Sequence, residues 1–269
     1  MNKPHSELPS DPEQLLISEV RGQVLWLTVN RESTRNALND EVLARMADAI
    51  SGASGNTSLR AIVVTGAGSR VFSAGGDLKS GAATFDFDYS RPSTNYADLM
   101  RAANQSNLPM LARVNGHCLA GGMGLLSMCD MAVASSHASF GLPEVKIGMF
   151  PMQVAASLRR ILPPRLFAEM CYSGESINAQ EALAHGLVNY VVESAGLDDK
   201  VQWLLDRIVT KSPTAIRRGK YALRATQDMS FEQSIAYMET QISTLALTKD
   251  SSEGIASFNE KRAPAWSGR

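Results

Sequence analysis

The sequence has 269 residues, 44% of them hydrophobic, which is enough to bury the core of one large domain with or without a helical appendage. Its formal net charge of -1 excludes a general electrostatic attraction to nucleic acid or to an anionic membrane. No apolar run reaches the roughly 18 residues that a membrane-spanning helix needs. The polar, proline-containing start (residues 1–12) is not a signal peptide, so residues 1–14 are expected to be a flexible arm.

The three cysteines lie in apolar stretches and show no CxxC spacing. An odd number without a pairing rhythm argues against a disulfide framework and against a structural zinc site. Free thiols in a reducing compartment are the simpler reading, and we expect a cytoplasmic protein without a bound metal.

Strands dominate the first part of the predicted fold, and they alternate with helices as in α/β proteins. A helix is predicted over residues 36–50, where apolar residues recur every four positions. The predicted strands are residues 23–29, residues 60–65, a short strand before Asn115, residues 130–134 and residues 187–192.

Helices dominate after about residue 152, and several of them begin at asparagine, proline or Ser-Pro signals. They are predicted over residues 155–160, 164–172, 178–185, 197–210, 213–226 and most of 231–258. Between the two parts of this pattern, residues 80–95 form a long loop rich in glycine, aspartate and serine. Loops of this length are often functional lids, although a plain disordered insertion remains an equal alternative.

Two glycine-rich turns stand out, at Phe72-Ser-Ala-Gly-Gly-Asp-Leu-Lys79 and at Asn115-Gly-His-Cys-Leu-Ala-Gly-Gly-Met-Gly124. Glycine permits close backbone approach to a ligand, and a helix N-terminus presents amide hydrogens to negative charge. One amide from each turn could form an oxyanion hole for a thioester carbonyl. Taken singly, either turn could instead serve only close packing, and neither matches a dinucleotide or Walker motif.

Together these segments resemble the crotonase (enoyl-CoA hydratase/isomerase) superfamily, in order and in spacing over roughly residues 15–265. The matching segments are Asn30-Arg31 with Asn36-Ala-Leu-Asn39, FSAGGDLK, NGHCLAGGMGLLSMCD, SFGLPEVKIGMFP, AQEALAHGLVNYVV and the closing FNEKRAP.

The resemblance implies a spiral of ββα units (residues 15–200) followed by a C-terminal helical trimerisation region (residues 201–269), assembled as a homotrimer or a dimer of trimers. It implies that the amides of Gly76 and Gly121 grip the oxygen of an acyl-CoA thioester. No cofactor is expected beyond the CoA moiety of that substrate. The residues that it implicates in CoA binding are Ala74, Gly76, Asp77, Leu78, Lys79, Gly121, Phe258 and Lys261. Surface charge, ordinary packing and helix capping by Asp77 are the alternative readings of these residues. The basic residue that often contacts phosphate in this family is represented at best by Arg35 within residues 30–39.

The acid/base residues distinguish reactions within this superfamily. Typical hydratases that this chain resembles use two glutamates, of which only Glu144 is present, because Gly124 stands where the other belongs. Moving a double bond needs one base that removes a proton from one carbon and returns it to another. We therefore expect isomerisation slightly more than hydration, with Glu144 as the base.

Three alternatives remain open. A hydratase could hold its water with another group, such as Asp86, Asp88 or a backbone carbonyl. The enzyme could instead carry out a decarboxylation or another enolate-forming step, or the chain could be an inactive CoA-binding relative. A glutamate introduced at position 124 is expected to raise hydration if the missing carboxylate limits it. His117 is a weaker candidate base, and the methionines near these motifs suit a core or an apolar acyl pocket.

Overall fold

The computed structural model describes residues 14–79 and 88–269. Its strands are β1 (Leu16–Arg21), β2 (Val24–Val29), β3 (Ala61–Gly66), β4 (Val71–Ser73), β5 (Met110–Val114), β6 (His117–Leu119), β7 (Met131–Ser135), β8 (Ser139–Gly141), β9 (Ser176–Asn178) and β10 (Tyr190–Val192). Its helices are α1 (Asp40–Gly55), α2 (Asn95–Gln105), α3 (Gly121–Ser127), α4 (Met152–Leu158), α5 (Pro164–Ser173), α6 (Ala179–Ala184), α7 (Leu197–Val209), α8 (Pro213–Ala225), α9 (Phe231–Ala246) and α10 (Lys249–Asn259).

The strands form two sheets that the chain visits in alternation. The larger sheet has the order β1-β2-β3-β5-β7-β10 and the smaller one β4-β6-β8-β9. Each of the pairs β3-β4, β5-β6 and β7-β8 therefore adds one strand to each sheet. Among the described strands, β1 runs antiparallel to β2 and β9 runs antiparallel to β8. All other neighbouring strands in the two sheets are parallel. This is a spiral of repeated ββα turns.

Most of the core lies between the sheets and their helices, because the buried stripe of α1 faces the larger sheet. Its apolar residues recur at helical spacing, namely Val42, Leu43, Met46, Ile50 and Ala53. The opposite face of the larger sheet packs on α7 through Val201 and Leu205. Since both faces of the sheet are covered, the central strands are buried throughout, as in β3.

Cations on one side of α8 join the C-terminal helices to the spiral. Arg217 donates to the carbonyl groups of Asn56 and Leu59, and Lys220 donates to the Leu108 carbonyl and the Asp130 carboxylate. One turn further along, Arg224 donates to the carbonyl of Asn104. The division of the chain at residues 200 and 201 stays a prediction, and that position lies inside α7.

The predicted longer strands and helices are confirmed, with bounds that differ by a few residues. The expected helix over residues 231–258 is two helices, because Thr248 ends one run and caps the next by accepting a hydrogen bond from Ser251. The six-residue strand β1 and the short strands β4, β6, β8 and β9 were not predicted. The four short strands have three residues each, too few to show a periodicity.

The segment of residues 80–95 is described only from residue 88 onward. Asp86 therefore lies outside the described residues, and nothing tests a lid in residues 80–87. Asp88 is exposed, and its carboxylate accepts hydrogen bonds from the amide and hydroxyl of Ser90. Thr94 then caps α2 by accepting from the Ala97 amide.

Candidate functional site

Three turns meet at one edge of the smaller sheet. The parallel strands β4, β6 and β8 are neighbours, so their carboxyl ends lie side by side. Gly76 follows the end of β4, Gly121 follows β6 and Glu144 follows β8. The carboxyl edge of parallel strands is a common position for ligand sites. The sheet order thus brings together the three residues that the sequence singles out for chemistry.

Two buried asparagines hold the first glycine turn in place. Asn36 is fully buried at a φ of 53°, and its side-chain amide donates to the carbonyl groups of Ala67 and Val71. Asn115 donates to the carbonyl groups of Gly66 and Gly68. Left-handed backbone is costly for a side chain other than glycine or asparagine, which accounts for asparagine at position 36. These bonds fix the loop that leads into β4.

The two glycine turns touch each other. Gly75 has a φ of 93°, and a Cβ placed on it would lie 2.6 Å from the Cβ of Ala120 and 2.8 Å from the nitrogen of Gly121. A Cβ on Gly121 would lie 3.5 Å from the nitrogen of Gly76. Among the residues that the structure describes, neither the Gly76 amide nor the Gly121 amide has a hydrogen-bond acceptor. Both donors are therefore close together and uncommitted.

An ion pair between Arg31 and Asp77 stabilises the first glycine turn. A guanidinium nitrogen of Arg31 lies 2.7 Å from a carboxylate oxygen of Asp77, and both side chains are largely buried. Asp77 also accepts a hydrogen bond from the amide of Lys79, while its own amide donates to the Leu38 carbonyl. The hydrogen bond from Arg31 lowers the pKa of Asp77, so the carboxylate is charged at neutral pH. The role of Asp77 that the contacts support is positioning of the turn, and its expected contact with CoA stays a prediction.

Glu144 combines burial with an unused oxygen. It lies in a 3-10 turn over Pro143–Ile147, and its Oε2 atom is buried without a hydrogen-bond partner in the described part of the chain. Burial raises the pKa of Glu144, which a hydrogen bond from its own main-chain amide offsets only in part. A desolvated carboxylate with a free lone pair is a stronger base than one in water, as proton abstraction from carbon requires.

Tyr96 fills the space beside Gly124. A Cβ on Gly124 would lie 1.8 Å from the hydroxyl oxygen of Tyr96. That hydroxyl donates to the carbonyl of Gly121 at 2.7 Å. Burial raises the pKa of Tyr96 far above its usual value, and the negative charge of Glu144 raises it further, so the phenol is neutral. The structure therefore puts a neutral hydroxyl where the resemblance led us to look for a carboxylate.

The other predicted binding residues are divided between two parts of the chain. Ala74, Leu78 and Lys79 belong to the first turn, and Leu78 and Lys79 are exposed. Phe258 is 83% exposed on α10, whose main packing partners are α8 and α9, and Lys261 follows that helix. The structure does not bring these last two residues to the turns through any described contact. All five stay predictions as CoA ligands.

The other polar residues considered as candidates are Arg35, His117 and the three cysteines. The Arg35 carbonyl accepts the amide of Ala74, which makes its backbone part of the turn. His117 is exposed, and its Nδ1 atom lies 2.8 Å from the hydroxyl oxygen of Ser139. Cys118, Cys129 and Cys171 are free thiols, as predicted.

Within the described ranges, no group of three or more histidine, cysteine, aspartate or glutamate side chains could hold a metal ion. In the same ranges, no helix has the length and apolar character that crossing a membrane requires.

Comparison with known proteins decides the family. The family model described as enoyl-CoA hydratase/isomerase matches residues 19–269. The chain belongs to the enoyl-CoA hydratase/isomerase family. It is 36% identical to the 2,3-dehydroadipyl-CoA hydratase of Escherichia coli strain K12, over 95% of this chain and 99% of that protein. It is 34% identical to the carnitinyl-CoA dehydratase of Proteus mirabilis, again over 95% of this chain and 99% of that one.

Solved structures agree with this assignment. An enoyl-CoA hydratase from Bacillus anthracis matches with a TM-score of 0.88 and 28% identity, over 95% of this chain and all of that one. A protein from Mycobacterium abscessus described as a putative enoyl-CoA hydratase/isomerase matches with a TM-score of 0.85 and 33% identity, with the same coverage. The expected crotonase-type fold is confirmed, and the protein is an enzyme of this family. Its assembly into trimers or hexamers and its cytoplasmic location stay predictions.

Sequence reasoning missed two residues at the site. Arg31 belongs to the Asn30-Arg31 segment but was assigned no role, because its partner Asp77 is 46 positions away in the sequence. Tyr96 carried no signal, since it stands in the second position of a helix that follows a long loop. Only the fold places it beside Gly124.

Proposed function

We propose that this enzyme forms the enolate of an acyl-CoA thioester and moves a carbon–carbon double bond of the acyl chain, with Glu144 as its only acid/base. The observation that carries the proposal is the arrangement at the small-sheet edge. Two uncommitted amides lie close together, and a desolvated carboxylate with a free oxygen follows the neighbouring strand.

The main-chain part of the site would stabilise charge. The thioester carbonyl oxygen accepts hydrogen bonds from the amides of Gly76 and Gly121, which hold the negative charge that develops on it. Preorganised donors of this kind contribute about 10²–10³ in rate each. The buried asparagines fix the loop that leads into β4, the strand that the first turn follows.

Glu144 would carry the proton. With a 3-enoyl-CoA substrate, its carboxylate removes a proton from carbon 2, and the electron pair passes to the thioester oxygen as a dienolate. The protonated Glu144 then gives the proton to carbon 4, so that the double bond comes to lie between carbons 2 and 3. No other atom is added or lost, and one carboxylate is sufficient.

Hydration of a 2-enoyl-CoA, or its reverse, is the second candidate. It is favoured by the relatives, which are named as a hydratase of 2,3-dehydroadipyl-CoA and a dehydratase of carnitinyl-CoA. In this reaction a water molecule must be held and deprotonated beside Glu144. Asp88 is exposed and bonded to Ser90, and the Tyr96 hydroxyl beside Gly124 is one described group that could accept a hydrogen bond from that water.

The test is to incubate the enzyme with 3-enoyl-CoA and with 2-enoyl-CoA in deuterated water, alongside Glu144→Gln. Isomerisation with deuterium incorporation that the substitution abolishes supports the proposal. Faster hydration than isomerisation by the unmodified enzyme favours the second candidate. No exchange or turnover on any thioester, with CoA binding retained, would establish a catalytically inactive CoA-binding relative.

A further inference from the structure

Tyr96 occupies the reaction centre without a role in the enolate mechanism. It begins on α2 and reaches the turn after β6, where its hydroxyl donates to the Gly121 carbonyl at 2.7 Å. Gly121 is the residue whose amide we assign to the oxyanion hole. The phenol therefore contacts the charge-stabilising turn directly, from the side of the missing glutamate.

The space between Tyr96 and α3 is fully used. The hydroxyl oxygen would lie 1.8 Å from a Cβ on Gly124, and the ring carbon that bears the hydroxyl 3.0 Å from it. Contacts under about 3 Å force one partner to move, so a side chain at position 124 would displace the Tyr96 phenol from its present position. A glutamate at position 124 alone cannot take its place while Tyr96 stands as it does.

The hydroxyl has one proton, and it is committed to the Gly121 carbonyl. Burial raises the pKa of Tyr96 well above neutral pH, so the phenol does not ionise to serve as a base. It cannot replace a carboxylate that takes a proton from water. The phenol instead holds the Gly121 turn by a fixed hydrogen bond. It also fills the space that a second acidic side chain would need.

We propose that Tyr96 is the specificity-determining residue of this site: it fixes the Gly121 turn and occupies the place of a second carboxylate, so that the enzyme transfers protons on carbon and adds water poorly. This inference rests on the proposed function, which it extends from the identity of the base to the choice of reaction. It makes Tyr96 a positioning residue for the oxyanion hole and a barrier to water activation.

The experiment compares Tyr96→Phe, Tyr96→Ala and the double variant Tyr96→Ala/Gly124→Glu. For each, deuterium exchange and hydration are measured on the same thioesters. Tyr96→Phe keeps the ring but loses the bond to Gly121, so kcat for exchange should fall roughly ten- to a hundredfold with KM little changed. The double variant should raise the ratio of hydration to exchange at least about tenfold over Tyr96→Ala, since a positioned proton acceptor contributes about 10²–10⁴.

Two results would overturn the inference. Equal exchange and hydration rates in Tyr96→Phe and the unmodified enzyme would remove the positioning role. Loss of hydration with exchange retained would make the phenol a holder of water. Because Tyr96→Phe changes one atom, these readings stand even if the double variant fails to fold.

A spectroscopic measurement separates this inference from the proposed function. The carbonyl stretch of bound acetyl-CoA falls in frequency when the oxyanion donors polarise it, and this needs no turnover. A smaller fall in Tyr96→Phe supports the positioning role, and an equal fall contradicts it, even if the enzyme shows no exchange. Tyr190→Phe is the matched control, since that ring packs against Trp203 on α7 and should leave every readout unchanged.

Discussion

Gly75 and Ala120 approach so closely that a Cβ on the glycine would lie 2.6 Å from the Cβ of the alanine. This contact joins the turn after β4 to the turn after β6, and each turn carries an amide, of Gly76 or Gly121, that has no acceptor among the described residues. Gly75 also has a φ of 93°, where a side chain is strained whatever space it has.

We expect Gly75→Ala to separate the two turns and to lower kcat/KM by at least about a hundredfold, the usual effect of losing one oxyanion donor. The free energy of unfolding should fall as well, by about 1–3 kcal/mol, as in other overpacked sites. Steady-state kinetics and urea unfolding measure both effects. Gly52→Ala on α1 is the control, because a Cβ there meets nothing within 4 Å, and it should leave the rate unchanged. An active Gly75→Ala enzyme would contradict the interlocked turns.

The raised pKa of Glu144 predicts how kcat/KM falls at acid pH. Its pKa is raised by burial, and only the charged form can take a proton from carbon. As the pH falls through that raised pKa, kcat/KM should decline tenfold per unit, and the decline should begin above the ordinary value of 4.5 for a glutamate. Measurement of kcat/KM between pH 4 and 9 checks this expectation.

Removing the charge of Glu144 should cost activity but not stability. Glu144→Gln is expected to lower kcat by about 10²–10⁴ because the proton carrier is lost. Its melting temperature should stay equal or rise, since the buried Oε2 atom has no partner in the described chain to lose. A marked fall in melting temperature would mean that the carboxylate is structural.

The pair of Arg31 and Asp77 is expected to stabilise the fold far more than a surface pair. The side chains are only 11% and 14% exposed, so removing one partner leaves an uncompensated buried charge. Asp77→Ala should reduce the free energy of unfolding by about 3 kcal/mol. The exposed pair of Arg45 and Glu41 has a similar distance of 2.7 Å, and Glu41→Gln should cost no more than about 0.5 kcal/mol. Similar losses in both variants would refute the distinction.

Asp250 ties the last residues of the chain to α8. Its carboxylate accepts bonds from the Ser212 hydroxyl, the Thr214 amide, the Ser267 amide and hydroxyl, and the Gly268 amide. Burial alone would raise the pKa of Asp250, but the hydrogen bonds outweigh it and lower the pKa from 3.8 to about 2.

The stability that Asp250 provides should depend on pH. Because the folded-state pKa lies below that of the unfolded chain, the contribution is complete above about pH 4 and is lost as the pH falls toward 2. Asp250→Asn should therefore cost about 2 kcal/mol at pH 6 and clearly less at pH 3, by urea unfolding. Asp228→Asn should show no such difference, since that side chain is 82% exposed. A cost independent of pH would contradict this account.

The sequence was sufficient for the family, most of the longer elements and the three residues at the small-sheet edge, but the six-residue β1 was not predicted. Gly76, Gly121 and Glu144 lie within continuous motifs, and each follows directly on a strand. Tyr96 could not be found in this way, because its importance depends on the space beside Gly124, which no local pattern encodes. The same is true of the contact between Arg31 and Asp77. Side chains that meet across distant segments are visible only once the spiral is formed.

The contact between the two glycine turns divides the site into a main-chain part and a side-chain part. The groups that would hold the thioester belong to the backbone and depend on the crossing of Gly75 and Ala120, whereas the group that would move protons is a single replaceable side chain. An exchange at position 144 would therefore change proton transfer while both amides stay in place, whereas position 96 also contacts the Gly121 turn. The same pair of main-chain donors could therefore be combined with different acidic side chains.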